Sequence, residues 1–173
     1  MPLSLDTSAF TALEHAGDST SPTVGASSEI PVRFAMRAVP GGRNVSIPYS
    51  WGVAPQGTRS FALTLVDTEP SARDWVHWMI VDIPPGTTGI SEGASGTTAM
   101  PTGAVELRNT FGIIGYGGPQ PPAGSGAHPY VATAYALDVA SLRLPAGASL
   151  LQLRQAVAGH VLASGTCTGY FGR

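Results

Sequence analysis

The stretch SFALTLVDTEPSARDWVHWMIVDI, residues 60 to 83, decides the fold. Strand alternation along its first part puts Phe61, Leu63, Leu65 and Asp67 on one side, so a carboxylate continues an apolar stripe at its end. Glu69 shares that side if the extension persists, whereas Pro70 favours a turn just there. In the second part the same alternation groups Trp75, His77, Met79 and Val81 against Val76, Trp78 and Ile80. Both faces are apolar, the pattern of a central strand covered on both sides, so His77 is expected to be enclosed.

Outward from this stretch the punctuation is regular. The chain holds 22 glycines and 15 prolines, spread between short apolar runs and not gathered in one block. Many short strands joined by shaped loops follow, a mostly β domain. Further strands are expected at IPVRFAM (30 to 36), NVSIPYSW (44 to 51) and PYVATAYAL (129 to 137). SLLQLRQAVAGHVLA, residues 149 to 163, reads as a C-terminal amphipathic helix with Leu150, Leu153, Val157 and Val161 on one face. Ser149 and Gln152 fit a capping box and Gly165 a stop signal. His160 then falls near the helix end and reads as a cap or surface residue. His15, in the polar N-terminal stretch, reads as surface.

With 173 residues and 43% hydrophobic composition, the chain suits one domain with its own core, preceded by an N-terminal extension over residues 1–28. A formal net charge of -2, with 12% charged residues, implies no electropositive surface for nucleic acid. The N-terminus has neither a basic n-region nor a continuous apolar h-region, and no run is long enough to span a membrane, so a soluble cytoplasmic protein is expected. The single cysteine, Cys167, reads as a buried, inert thiol.

Three polar groupings interrupt apolar faces. Asp67 and Glu69 fit an Asx-type turn as well as they fit a site. An enclosed His77 is satisfied by one good hydrogen-bond partner, and becomes a site only if other polar groups converge on it. The third lies in NTFGIIGYGGPQPPAGSGAHPYVATAYAL, residues 109 to 137, whose glycine- and proline-dense part cannot be helix or central strand. Glycines there permit close backbone approach to a ligand, and the loop delivers His128 and Tyr130 to one face of the strand that follows.

These segments, NVSIPYSWGVAPQGTRSFALTLVD, WVHWMIVDIPPG, GYGGPQPPAGSGAHPYVATAYAL and the closing helix with GYFGR, resemble the phosphatidylethanolamine-binding protein family, whose bacterial members are often called Raf-kinase-inhibitor-like proteins. The likeness covers residues 29 to 173, and the GPxPPxGxGxHxY pattern is its most specific part. It implies a β-sandwich with a central sheet, short peripheral helices and a small anion-binding pocket at one edge. Residue by residue, it implies ligand-binding roles for Asp67, Glu69, His77, His128 and Tyr130, with Gly118, Pro121 and Pro122 shaping the wall. Where the family has a DPDAP-like motif this chain has DTEPS.

Two functions fit these residues. One is a non-catalytic binder of a small anionic, phosphorylated ligand, with imidazole and phenol donating hydrogen bonds and a proton of the phosphate shared with a carboxylate. The other is an enzyme that uses the pocket for acid–base chemistry, a cyclisation or isomerisation, with His77 or Asp67 as base and Tyr130 or His128 as acid. No serine stands in a nucleophile-elbow motif, which argues against hydrolysis. No cofactor motif is present, and the spacing of two histidines and an acid matches no metal-site motif. Pairing of exposed sheet edges into a homodimer is a third, structural reading.

Overall fold

The computed structural model describes residues 28–173 together with a two-residue strand at Glu14–His15. The side chain of His15 and most of the 1–28 extension lie outside the described residues. Among the described residues nine strands are numbered in chain order: β1 Glu14–His15, β2 Ser28–Glu29, β3 Tyr49–Ser50, β4 Ser60–Asp67, β5 Trp75–Ile83, β6 Gly89–Ile90, β7 Val105–Glu106, β8 His128–Leu137 and β9 Val161–Phe171. One helix, α1 Leu150–Val157, interrupts them. A six-stranded sheet runs β2-β9-β8-β4-β5-β7 and a small one β1-β3-β6. Both ends of the large sheet are two-residue strands, and β2 covers only Gly169 and Tyr170 of the eleven-residue β9 beside it.

Each face of the large sheet buries its own cluster. Phe61, Leu63 and Leu65 of β4, with Tyr130, Ala132 and Ala134 of β8, face a core closed by Phe34, Ile47, Tyr49 and Ile90 from the loops and the small sheet. The opposite face packs Ala62, Val66, Val76 and Met79 against Leu150, Leu153 and Val157 of α1. All eight residues of β4 are buried, because neighbours cover it on both edges and both faces. The alternation expected for β4 holds, and it leaves Asp67 on the side of Phe61, Leu63 and Leu65.

In β5 the alternation fails, for a physical reason. Leu65 pairs with Trp78 and Val66 with Val76, so one residue of β4 faces two of β5 and His77 is the extra one. A bulge of this kind re-aims side chains. Val76 and Met79 share the helix-side cluster, while His77 stacks edge-on against Tyr130 and Trp78 joins the other cluster. His77 therefore shares a face with Trp78 and not with Met79.

Three further expectations are corrected. The segment 30–36 is no strand: after Pro31 it forms a 3₁₀ turn, Val32–Phe34, that buries Phe34. Of 44–51 only Tyr49–Ser50 pairs in a sheet. The helix ends at Val157, because Gly159 takes φ +82° and turns the chain. The predicted capping box is present, with Gln152 N–H donating to Ser149 Oγ at 3.2 Å and Ser149 N–H to Gln152 Oε1 at 2.8 Å. Val161 and Gly165 belong instead to β9, which pairs with β8 along its whole length. His160 sits in the turn with Nδ1 2.8 Å from Asp138 Oδ1. Cys167 is buried in β9, and burial pushes its thiol up to about 12.

Candidate ligand-binding site

Strand register gathers the site. Asp67, the last residue of β4, lies opposite Tyr130 of β8 on one side and Trp75 of β5 on the other. His128 and Tyr130 open β8 on the face that Asp67 shares. The bulge turns His77 to the same place, its ring centroid 5.0 Å from that of Tyr130. Asp67, His77, His128, Tyr130, Pro121 and Pro122 all line one cavity of about 630 Å³.

Two predicted residues do not line it. Glu69 N–H donates to Asp67 Oδ1 at 2.9 Å, which is the Asx-type turn, and its residue precedes the 3₁₀ turn Pro70–Ala72. Gly118 lies behind the wall: its N–H donates to Asn44 Oδ1 at 2.7 Å, and a Cβ there would come within 2.0 Å of the Phe34 carbonyl oxygen. The remaining lining comes from loops that alternation does not reach. Arg73 and Asp74 follow the 3₁₀ turn in left-handed conformation, at φ 52° and 57°. Ser71, Ala72, Thr110, Phe111 and Gln120, with Trp75 at the start of β5, complete the wall.

The loop that carries Pro121 and Pro122 is held by main-chain bonds. Gly117 N–H donates to the His77 carbonyl at 2.9 Å, and the His77 ring returns Nδ1–H to the Gly117 carbonyl at 2.6 Å. Thr110 makes a similar reciprocal pair with the main chain of Val76, at 2.9 and 3.0 Å. A carbonyl can only accept, so the proton of His77 is on Nδ1 and Nε2 is a bare acceptor. Burial pushes the His77 pKa down to about 4, against the opposing pull of the Gly117 carbonyl and the Asp67 carboxylate. Its imidazole is neutral at ordinary pH.

His128 is committed at both nitrogens. Nδ1 lies 2.7 Å from Asp67 Oδ2 and Nε2 lies 2.9 Å from Ser125 Oγ. Tyr130 is the reverse case. Its hydroxyl is sealed from solvent and makes no well-formed hydrogen bond among the described residues, although the Asp67 carboxylate stands near it. Burial first, then that carboxylate, holds the phenol protonated far above the usual tyrosine range. Neither imidazole therefore offers a spare N–H to an anion, contrary to the expectation from residue type. The cavity presents an uncommitted acceptor, His77 Nε2, beside the Tyr130 phenol, which stands against the Asp67 carboxylate, and Arg73, Trp75 and Gln120 bring further donors to its lining. No helix among the described residues is long and apolar enough to cross a membrane.

The family model described as phosphatidylethanolamine-binding protein matches residues 20–172. A UPF0098 protein of Methanothermobacter thermautotrophicus is 38% identical over 141 residues, 82% of this chain and 91% of that protein. LppC of Mycobacterium tuberculosis, named as a lipoprotein, is 38% identical over 138 residues, 80% of this chain and 63% of that one. Among solved structures, YbcL of Escherichia coli superposes with a TM-score of 0.78 at 29% identity, covering 84% of this chain and 92% of that one; it is described as a new member of the mammalian PEBP family. The family model spans most of the chain and the relatives agree with it: the chain belongs to the phosphatidylethanolamine-binding protein family.

Proposed function

We propose that this protein binds a small, acidic, phosphorylated ligand in the cavity between Asp67, His77 and Tyr130, and that it recognises the phosphate in its singly protonated form. The observation that carries the reading is a bare acceptor, His77 Nε2, on a ring whose centroid is 5.0 Å from that of Tyr130, a phenol held protonated beside the Asp67 carboxylate. A monoester of phosphate that keeps one proton satisfies both at once, accepting from the phenol and donating to the imidazole. A dianion satisfies only one and meets the carboxylate of Asp67 besides. The shared proton now goes to the imidazole, because Asp67 already holds Glu69 N–H and His128.

The same numbers weigh against His77 and Tyr130 as a general acid–base pair. Such groups work best with pKa values near the operating pH, and burial drives this base down to about 4 and this acid far up. Binding uses both groups in the states they already hold.

Titration calorimetry with phosphoethanolamine tests the reading. A phosphate second pKa near 6 leaves about half of the ligand singly protonated at pH 6 and about 1% at pH 8. Affinity is expected to fall about fifty-fold over that range, and a Tyr130→Phe variant to bind about tenfold or more weakly at both values. Equal affinity at the two pH values would show that the proton is not recognised.

A further inference from the structure

Ser125 stands on the opposite side of His128 from Asp67. Its Oγ is 2.9 Å from His128 Nε2, and His128 Nδ1 is 2.7 Å from Asp67 Oδ2. Asp67 and His128 are buried, at 4% and 2% exposure, while Ser125 is exposed. A buried acid that orients an imidazole, and an imidazole that reaches an accessible hydroxyl, are the parts of a serine nucleophile system, which is recognised by geometry and not by chain order. We propose that Ser125, His128 and Asp67 form an acyl-transfer triad that hydrolyses small esters or thioesters whose acyl part lies in the cavity.

Three surrounding features fit. Pro122 and His128, both in contact with the Ser125 hydroxyl, line the cavity, so the nucleophile sits on its rim. Trp75, Phe111, Pro121 and Tyr130 give that cavity walls suited to an acyl chain. The main-chain N–H groups of Gly126 and Ala127, directly after the nucleophile, make no hydrogen bond among the described residues. An N–H in that position is where acyl-transfer enzymes place a donor for the oxyanion. The serine proton has two acceptors, the Pro122 carbonyl at 2.8 Å and His128 Nε2 at 2.9 Å, and the second rotamer is the reactive one.

The reaction balances with water alone. Ser125 Oγ bonds to the acyl carbon as its proton passes to Nε2, while Nδ1–H stays on Asp67. The bond from acyl carbon to leaving group breaks, and the leaving alcohol or thiol takes the proton from Nε2. Water then adds to the acyl-serine, passing one proton through Nε2 back to Oγ, and the carboxylic acid departs. The step shares the cavity and Asp67 with the anion reading, but its chemistry uses Ser125 and His128 where that reading uses His77 and Tyr130.

The test combines an alkyl fluorophosphonate with p-nitrophenyl acetate and butyrate on the full chain. The expected result is a covalent adduct mapped by mass spectrometry to Ser125, and ester turnover that drops by about 10³-fold or more in Ser125→Ala. The exposed position of Ser125 keeps that variant folded, which a thermal melt checks, and phosphoethanolamine binding should survive in it. Asp67→Asn, which keeps a hydrogen-bonding side chain, should slow turnover while leaving Ser125 exposed. No adduct on Ser125, or a Ser125→Ala variant as fast as the unaltered protein, overturns the proposal.

Discussion

Acidification should unfold this protein through His77, by an amount the structure supplies. The unfolded imidazole takes its proton near the ordinary histidine value of 6.5 and the folded one only near 4. Between those values the unfolded state binds more protons, so stability falls as pH falls. Well above the upper value and well below the lower one His77 contributes no slope. A displacement of that size corresponds to about 3 kcal/mol, most of it lost between pH 7 and pH 4. No discount for solvent screening applies, because His77 is 2% exposed. Other groups titrate over the same range, so the measurement is a difference: urea unfolding of the unaltered protein and of His77→Gln, each at pH 7 and pH 4. Glutamine carries no titrating group and can still donate to the Gly117 carbonyl. The stability advantage of the unaltered protein should shrink by about 3 kcal/mol on going to pH 4, equivalent to a relative melting shift of roughly 6–12 °C for a chain of this size. Parallel losses in the two proteins would refute the claim that the buried ring resists protonation.

Other variants separate binding from stability. Tyr130→Phe removes a buried hydroxyl that stands beside the Asp67 carboxylate without a well-formed hydrogen bond, so thermal stability should change by no more than about 1 kcal/mol, while phosphoethanolamine affinity falls about tenfold or more in calorimetry. Gly118→Ala drives a Cβ into the Phe34 carbonyl and should cost about 1–3 kcal/mol in urea unfolding, with the loop before Pro121 displaced. Leu153→Ala empties the contact between α1 and the sheet and should cost about 2–5 kcal/mol by the same assay, leaving ligand affinity unchanged because the cavity opens on the other face.

The parts of the site that rest on strand periodicity were legible from the chain. Asp67 ends an alternating run and His128 precedes Tyr130 by two, so their common face follows from a period of two. The orientation of His77 was not legible, because a bulge is defined by the count of residues on the partner strand, and that count exists only once Leu65 faces Trp78. Phe111, Gln120 and Ser125 lie in loops whose course depends on distant anchors, such as the Thr110 and Gly117 bonds to β5. The end of the helix was misread because Val161 happens to continue a helical spacing, although Gly159 already offered a stop. The strand β9 that follows was hidden by Gly165 and Gly169, residues that carry no apolar signal and are ordered by pairing with β8.

The reciprocal hydrogen bonds between His77 and Gly117 use the main chain of the neighbouring loop, while the Phe111 ring packs edge-on against the imidazole, centroids 5.5 Å apart. Thr110 is committed through its own hydroxyl, but Gln120 lines the cavity outside that joint. Exchanges at Gln120 can thus reshape what the chamber admits while the ring keeps its tautomer and its tilt. Descent with a changing guest and an unchanging proton acceptor is the evolutionary route this attachment opens.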